Sequence, residues 1–589
     1  MPRITFRGLD IYIPGVYVAT DVVSNLPGAS RAFQVPVLLA GADQGYPYTV
    51  QDDVYPHEGT VYPWRRMDRS ANVRTFYNKG SDMDVAYGWA KKGGLPYAWC
   101  VCLSALTRAS VIATSTGPVN QLTIYGKLFG TPGGWHKITW TGGVFTVTPW
   151  KHWTKLTVNA ASGDYRVYVA DNSWAYEGMV VEIGDNDTAN AEKTIAAKGQ
   201  EIGDDGQVLY WIEFSATVGA SITTAQYGAV AFYKEADAEV SDTLTSASDI
   251  LDFLENESDY LGAVRHANYT GAAPAAVATA TPLKDISAWG TVTDGTSPAP
   301  TATDVEDFLA QLDAGQLDAW RASADALPRV FCLALDDSSA HATAATWAAE
   351  QRADGYPVLF VTGVGWGDTV IGAGDNTAPE FRTAALDSQD MALCVMGLNR
   401  LPSYLSLAPY VWGYIASGGV NHNLTKDRIL ASHFETRWSK ADLETLIRAG
   451  VITLRQFVTA SAIYQGIAQG LNTLQANATA WNAGTNGTTP LINQRDIADF
   501  IALDLRLSIT DKLLGEDSVS KSDVTGAALA RGRIYEAQGY IEAGSFKVVS
   551  IALNSAGNGW DVEACFKPIT TVDFITITAT ILVGEDEES

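Results

Sequence analysis

The sequence predicts a mixed α/β (α+β) core that carries an inserted all-β block and ends in extended segments. Three observations carry this. Helical and strand periods alternate between about residues 330 and 457, short strands between turn signals fill 118–235, and apolar, extended stretches stand at both termini. At 589 residues the chain is too long for one core, and roughly three to five domains are expected. The spans read as 1–30, 31–117, 118–235, 236–400, 401–567 and 568–589.

Residues 1–30 read as an arm. Ile11, Ile13, Val16 and Val18 are apolar and extended, but Pro14-Gly15 interrupts them, and proline tolerates only an edge position in a sheet. A strand at Val35–Ala40 follows, then an aromatic loop, a helix near Met83–Lys91 and an apolar strand at Tyr97–Leu103 suited to a sheet covered on both faces. From 118 to 235 strands are expected at Gln121–Tyr125, Trp135–Trp140, Phe145–Thr148, Leu156–Val158, Tyr165–Ala170, Met179–Ile183, Val208–Phe214 and Ala229–Tyr233. That spacing predicts a sandwich or small barrel. Trp135, Trp140, Trp150, Trp153, Trp174 and Trp211 fall here; such rings fill cores more often than they bind sugar.

Asp242–Tyr260 reads as a helix and Gly271–Thr301 as a loose connection. Thr303 and Glu306 form an expected capping box over Val305, Phe308, Leu309 and Leu312. A βαβ order follows: strand Val330–Leu335, helix Ser339–Ala353, strands Val358–Thr362 and Met391–Val395, helices Tyr404–Ile415 and Ala441–Arg448, strand Val451–Phe457. Ile497, Ile501, Leu505, Ile509 and Leu513 then lie four apart on one helical stripe, and a second helix over Ser522–Gly544 is expected to stop at Gly544. Trp560, Val562, Ala564 and Phe566 alternate with polar neighbours as in a half-buried strand. Val572–Val583 reads as a long β-branched strand that needs an edge to pair with.

Composition narrows the function. Hydrophobic residues make up 47% and charged residues 18%, as in a folded protein, and 40 Lys plus Arg against 66 Asp plus Glu leave a formal net charge of −26. Such a chain repels nucleic acid and anionic membrane. No apolar run reaches the ~18 residues of a membrane span, and no signal-peptide core opens the chain, so a protein made in the cytoplasm without membrane insertion is expected. The five cysteines form no CxxC pair and read as buried thiols.

Chemical motifs are incomplete. Gly363-Val-Gly-Trp-Gly367 follows a strand but lacks the Lys-Ser/Thr that grips phosphate. Asp336-Asp337 stands where α/β enzymes keep carboxylates, although a helix cap is the plainer reading. His433-Phe-Glu435 lacks its Pro-Cys-x-x-Cys partner, and Asp185-Asn-Asp187 lacks the rest of a calcium loop. No catalytic site, metal or cofactor is expected.

Two sets of words at opposite ends of the chain carry a resemblance. Ile13-Pro-Gly-Val-Tyr-Val18 followed by Val35-Pro-Val-Leu-Leu-Ala-Gly41 resembles the opening of contractile tail sheath proteins of phages and related injection systems. The C-terminal order of helix, helix, strands and terminal strand resembles that family's end. Between them, Trp289-Gly-Thr-Val-Thr-Asp-Gly295 and Leu446-Ile-Arg-Ala-Gly-Val-Ile452 resemble two further family words, the first one glycine short and the second with Ile-Thr in place of an asparagine.

The resemblance implies a sheath core with exchanged terminal arms and an outward β insertion. It also implies a non-enzymatic virion tail subunit that polymerises helically, in hexameric rings, around a tail tube between baseplate and tail terminator. Contraction would drive the tube through the host envelope. Ile11, Ile13, Val16, Val18, Phe574, Ile575, Ile577 and Ile581 would then be inter-subunit strand residues, with Arg506, Lys512, Arg531 and Arg533 as tube-facing charges. The alternative is a carbohydrate-binding adhesin or baseplate-type protein that uses the β block.

Overall fold

The computed structural model describes residues 4–6, 9–11, 35–49, 64–184, 189–203, 208–224, 228–317, 328–354, 356–365, 378–396, 401–418, 424, 438–458, 463–473, 491–513, 519–553 and 560–569. They fall into two compact units, one drawn from 34–499 and the other from 1–33 and 500–569.

The first unit is built on a seven-stranded sheet. Its order is Val451–Ile452, Met391–Cys394, Leu359–Gly363, Pro328–Ala334, Val35–Ala40, Ala98–Cys102 and Trp64–Met67, all parallel except the last. Because side chains alternate across a strand, Leu38, Cys100, Cys332 and Cys394 pack on one face, under helices Asp82–Lys92 and Leu407–Gly418. Val37, Leu39, Val101, Phe331 and Phe360 pack on the other, under Ala302–Gln311 and Ser338–Ala353. Both faces are covered, which explains the unbroken apolar strands. Burial pushes the Cys102 thiol up to about 12 and raises those of Cys100, Cys332 and Cys394 as well, so these sulfurs are packing groups.

Between Ala98–Cys102 and Pro328–Ala334 the chain is almost wholly antiparallel. Strands Trp150–Lys155, Ala229–Tyr233, Val180–Gly184, Ala189–Ile202, Val208–Phe214 and Arg166–Val169 form a six-stranded sheet in that order. It closes on itself: Leu156 bridges Val169, and the Ala170 amide donates to the Lys155 carbonyl at 3.0 Å. Leu156, Val167, Val181, Ile195, Ile212 and Phe214 fill this small barrel. Two four-stranded sheets flank helix Ala247–Asn256 and share a second core with it, including Ile124, Trp140, Phe145, Leu254 and Trp289.

Several expected boundaries move. The antiparallel strands run from Ser110 to Thr293, beyond the expected 118–235, because Leu261–Arg265 pairs with Asn120–Gly126 and Val277–Pro282 with Lys137–Thr141. Beyond residue 400, Val451–Ile452 joins Met391–Cys394 in the central sheet, and the chain passes into the second unit at Phe500. Thr301 with Asp304, in place of Thr303 with Glu306, makes the capping box. The expected strand at Leu156–Val158 lies earlier, at Trp150–Lys155.

The second unit holds the later turns of helix Ile492–Leu513, helix Lys521–Ala537 and the antiparallel pair Lys547–Leu553 and Trp560–Cys565. Phe500, Tyr535, Tyr540 and Phe546 pack edge to face or tilted against one another. Gly539, at φ +73°, follows the second helix, five residues before the stop expected at Gly544. Ile4–Phe6 and Leu9–Ile11 pair as a short hairpin.

Candidate functional site

The two edges of the central sheet give the first test of function. In an open parallel sheet, ligands bind beyond the carboxyl ends of the strands, at the point where strand order reverses. That point lies between Val35–Ala40 and Pro328–Ala334, and neighbouring chain packs closely on the strand ends around it. The Pro300 ring sits 2.9 Å from where a side chain on Gly41 would begin, and the Ser403 backbone 2.5 Å from the same position on Gly363.

The polar groups there are committed to one another. The Gly365 amide and Arg382 both donate to the Asp336 carboxylate, which takes the place an anion would hold on the glycine loop. Asp337 caps helix Ser338–Ala353, accepting from the Ser339 and Ala340 amides at 2.8 and 3.0 Å, as the plainer reading expected. His341 Nε2 lies 2.8 Å from both the Leu335 carbonyl and Thr362 Oγ1. Among the described residues no group of three His, Cys, Asp or Glu is placed to hold a metal, and no helix is long and apolar enough to cross a membrane. His433, Asp185 and Asp187 lie outside the described residues.

Burial holds the imidazole of His341 down to about 4 and that of His136 to about 3, from an ordinary 6.5. The unfolded chain therefore takes up protons that the folded one refuses. Stability is full above pH 6.5 and lost as pH falls toward 4. Each histidine should cost about 2 kcal/mol between pH 7 and pH 5. Thermal melts at the two pH values should show the loss, and His341→Gln should reduce it.

The opposite edge carries a buried ionic cluster that sequence reading missed. Arg329 is the second residue of the central strand, Arg352 lies in the last turn of helix Ser338–Ala353, and Asp390 precedes strand Met391–Cys394. Into this edge helix Ile492–Leu513 inserts Arg495, Asp496 and Asp499. Arg352 reaches Asp499 at 2.6 and 2.9 Å and Asp390 at 2.8 and 2.9 Å. Arg329 reaches Asp496 at 2.9 Å, and Arg495 reaches Asp499 at 3.1 Å. Burial raises the carboxyls of Asp390, Asp496 and Asp499 while the arginines hold them down. Lying at the amino edge, the cluster is a joint between helix and sheet.

Of the proposed strand residues, Ile11 pairs with Ile4 in the N-terminal hairpin, since an isolated strand would leave its backbone groups without partners. Ile13, Val16, Val18, Phe574, Ile575, Ile577 and Ile581 lie outside the described residues. Arg506 and Arg533 are exposed, and Lys512 lies in helix Ile492–Leu513. Arg531 is not a surface charge. Its guanidinium makes a bidentate pair with Asp504 at 2.5 and 2.7 Å, and Tyr535 donates to the same carboxylate. A buried carboxylate demands such a partner, and Arg531 supplies it.

The pair Lys547–Leu553 and Trp560–Cys565 forms a two-stranded sheet, and among the described residues neither strand has a second neighbour. Trp560, Val562 and Ala564 are only half-buried, and Val549 is 56% exposed. Among the described residues, this sheet offers two open edges.

No known protein family profile matches the chain, and no curated protein does. Among solved structures it is similar to the sheath tail protein of Desulfitobacterium hafniense at 13% identity, over 95% of this chain and 100% of that one, with a TM-score of 0.49. It is also similar to chains of the anti-feeding prophage baseplate and of its helical sheath in the contracted state. Each is 12% identical over 49% of this chain, and over 76% and 77% of those chains, with a TM-score of 0.35.

Proposed function

We propose that this protein is a structural subunit of a contractile tail sheath. It polymerises helically around a tail tube and shortens to drive the tube through an envelope, without catalysis. The observation that carries this reading is a two-stranded sheet with no third strand among the described residues, in a chain whose end, Val572–Val583, reads as an almost uncharged strand that needs an edge to pair with. A two-stranded sheet is marginal alone, and an added strand brings backbone hydrogen bonds without a rigid interface. Subunits joined this way stay connected while their folded bodies rotate. The sheath-like words at both ends of the chain point the same way, as does the filled crevice of the central sheet. Exposed Arg506 and Arg533, together with Lys512 of helix Ile492–Leu513, stay candidates for tube contact.

Electron microscopy of the purified full-length protein is the direct test. Hollow tubes with a regular helical repeat are the expected result, and isolated particles at all concentrations would refute the proposal.

A further inference from the structure

The feature that sheath assembly leaves unused is a cleft of about 570 Å³ where the barrel, the flanking sheets and the central core meet. That volume lies within the range of about 300–1,000 Å³ typical of small-molecule sites. Its walls are aromatic and arranged in pairs. His136 stacks on Trp150 with ring centres 5.8 Å apart and planes within 9°, and His152 stacks on Trp174 at 5.3 Å and 9°. Trp150 is fixed by its indole N–H, which donates to the Pro132 carbonyl at 2.9 Å. The rings are thus held in place before anything binds.

Two further observations select the ligand class. Three wall residues carry a buried ring nitrogen with no protein partner among the described residues: His136 Nδ1, Trp153 Nε1 and Trp174 Nε1. Buried polar atoms of folded proteins are nearly all satisfied, so three unsatisfied ring nitrogens among the residues that line one cleft mark it as a place short of polar partners. The cations at the cleft are already paired: Arg74 with Asp84 at 3.0 Å, Lys79 with Asp171 at 3.1 Å and Lys151 with Asp237 at 3.3 Å. Each of these cations already has a carboxylate beside it, which lessens its pull on a phosphate or carboxylate, and a purely apolar ligand would leave the ring nitrogens unsatisfied.

A saccharide fits both conditions. Its C–H faces would lie on indole and imidazole rings, and its neutral hydroxyls would meet the polar groups of the lining, including the exposed Asp259 carboxylate. We infer that this cleft is a binding site for a short neutral oligosaccharide, such as a surface glycan met by the outer part of the molecule.

The test uses the full-length chain on an array of short oligosaccharides of hexoses, 6-deoxyhexoses and N-acetylhexosamines, followed by titration with tryptophan fluorescence as the readout. The expected result is binding of a subset, with affinity reduced tenfold or more in Trp174→Ala and also in Asp259→Ala, whose exposed side chain can be removed without a packing defect. The inference is overturned if no glycan binds the wild-type chain, or if those that bind do so equally well to both variants. Tube formation by the variants is expected to be unchanged, so failure here leaves the sheath proposal standing on its own test.

Discussion

Asp499→Ala is expected to cost about 3–5 kcal/mol of stability and to loosen the first turns of helix Ile492–Leu513 from the central sheet. Asp499 is the hub of the cluster, with ion pairs to Arg329, Arg352 and Arg495, while its own side chain is only 7% exposed. Three arginines and three aspartates balance here, so removing the carboxylate that three arginines share leaves this largely buried cluster with one positive charge in excess. Asp496, which pairs with Arg329, should cost less when truncated. Denaturant melts give the order of the two losses, and amide exchange over residues 492–499 locates them. Equal costs for Asp496→Ala and Asp499→Ala would refute the hub. The cluster need not be the most stabilising solution for this site, since well-packed apolar residues often do as well. What it adds is a fixed register for the helix.

Much of the core was readable because its signals are local. The four-residue ladder Ile497, Ile501, Leu505 gives a buried stripe on one continuous helix, and alternation at Trp560–Ala564 gives a half-buried strand. The βαβ alternation fixed which stretches join the parallel sheet, since Val330, Phe360 and Met391 stand in uninterrupted apolar runs.

What was missed lacks a local signature. Strand Ala189–Ile202 opens with Ala-Asn-Ala-Glu-Lys, a stretch of low β-propensity, and its 14 residues form because neighbours on both sides supply hydrogen-bond partners. Val277–Pro282 read as a loose connection for the same reason: only Val277 of its six residues is buried. The ionic cluster gathers residues from 329, 352, 390 and 495–499, and no window of sequence contains more than three of its members. Arg531 was misread because composition shows a charge but not its partner: Asp504 is 27 residues away in sequence and one helix away in space. The aromatic wall of the cleft likewise spans 136–260, so abundance was visible and grouping was not.

Deletion of Thr571–Ser589 is expected to yield a folded protein that forms no tubes. The removed stretch contributes Phe574, Ile575, Ile577 and Ile581, and under the sheath proposal these pair with another copy, so the truncated chain should keep its circular dichroism and melting temperature. The acceptor is the sheet of Lys547–Leu553 and Trp560–Cys565, whose outer backbone groups have no strand beside them among the described residues. An open edge of this kind pairs with whatever extended chain reaches it. A synthetic peptide of Thr571–Ser589 added in excess should therefore bind the truncated protein and protect amides of residues 547–553 or 560–565 from exchange. The same peptide should also slow tube growth by the intact chain, because it competes for the edge that a neighbour's terminus must occupy. Tubes of normal length from the truncated protein would refute strand donation by this terminus. A truncated protein that fails to fold alone would show instead that the terminal strand completes its own molecule, and the connection between subunits would then have to lie elsewhere.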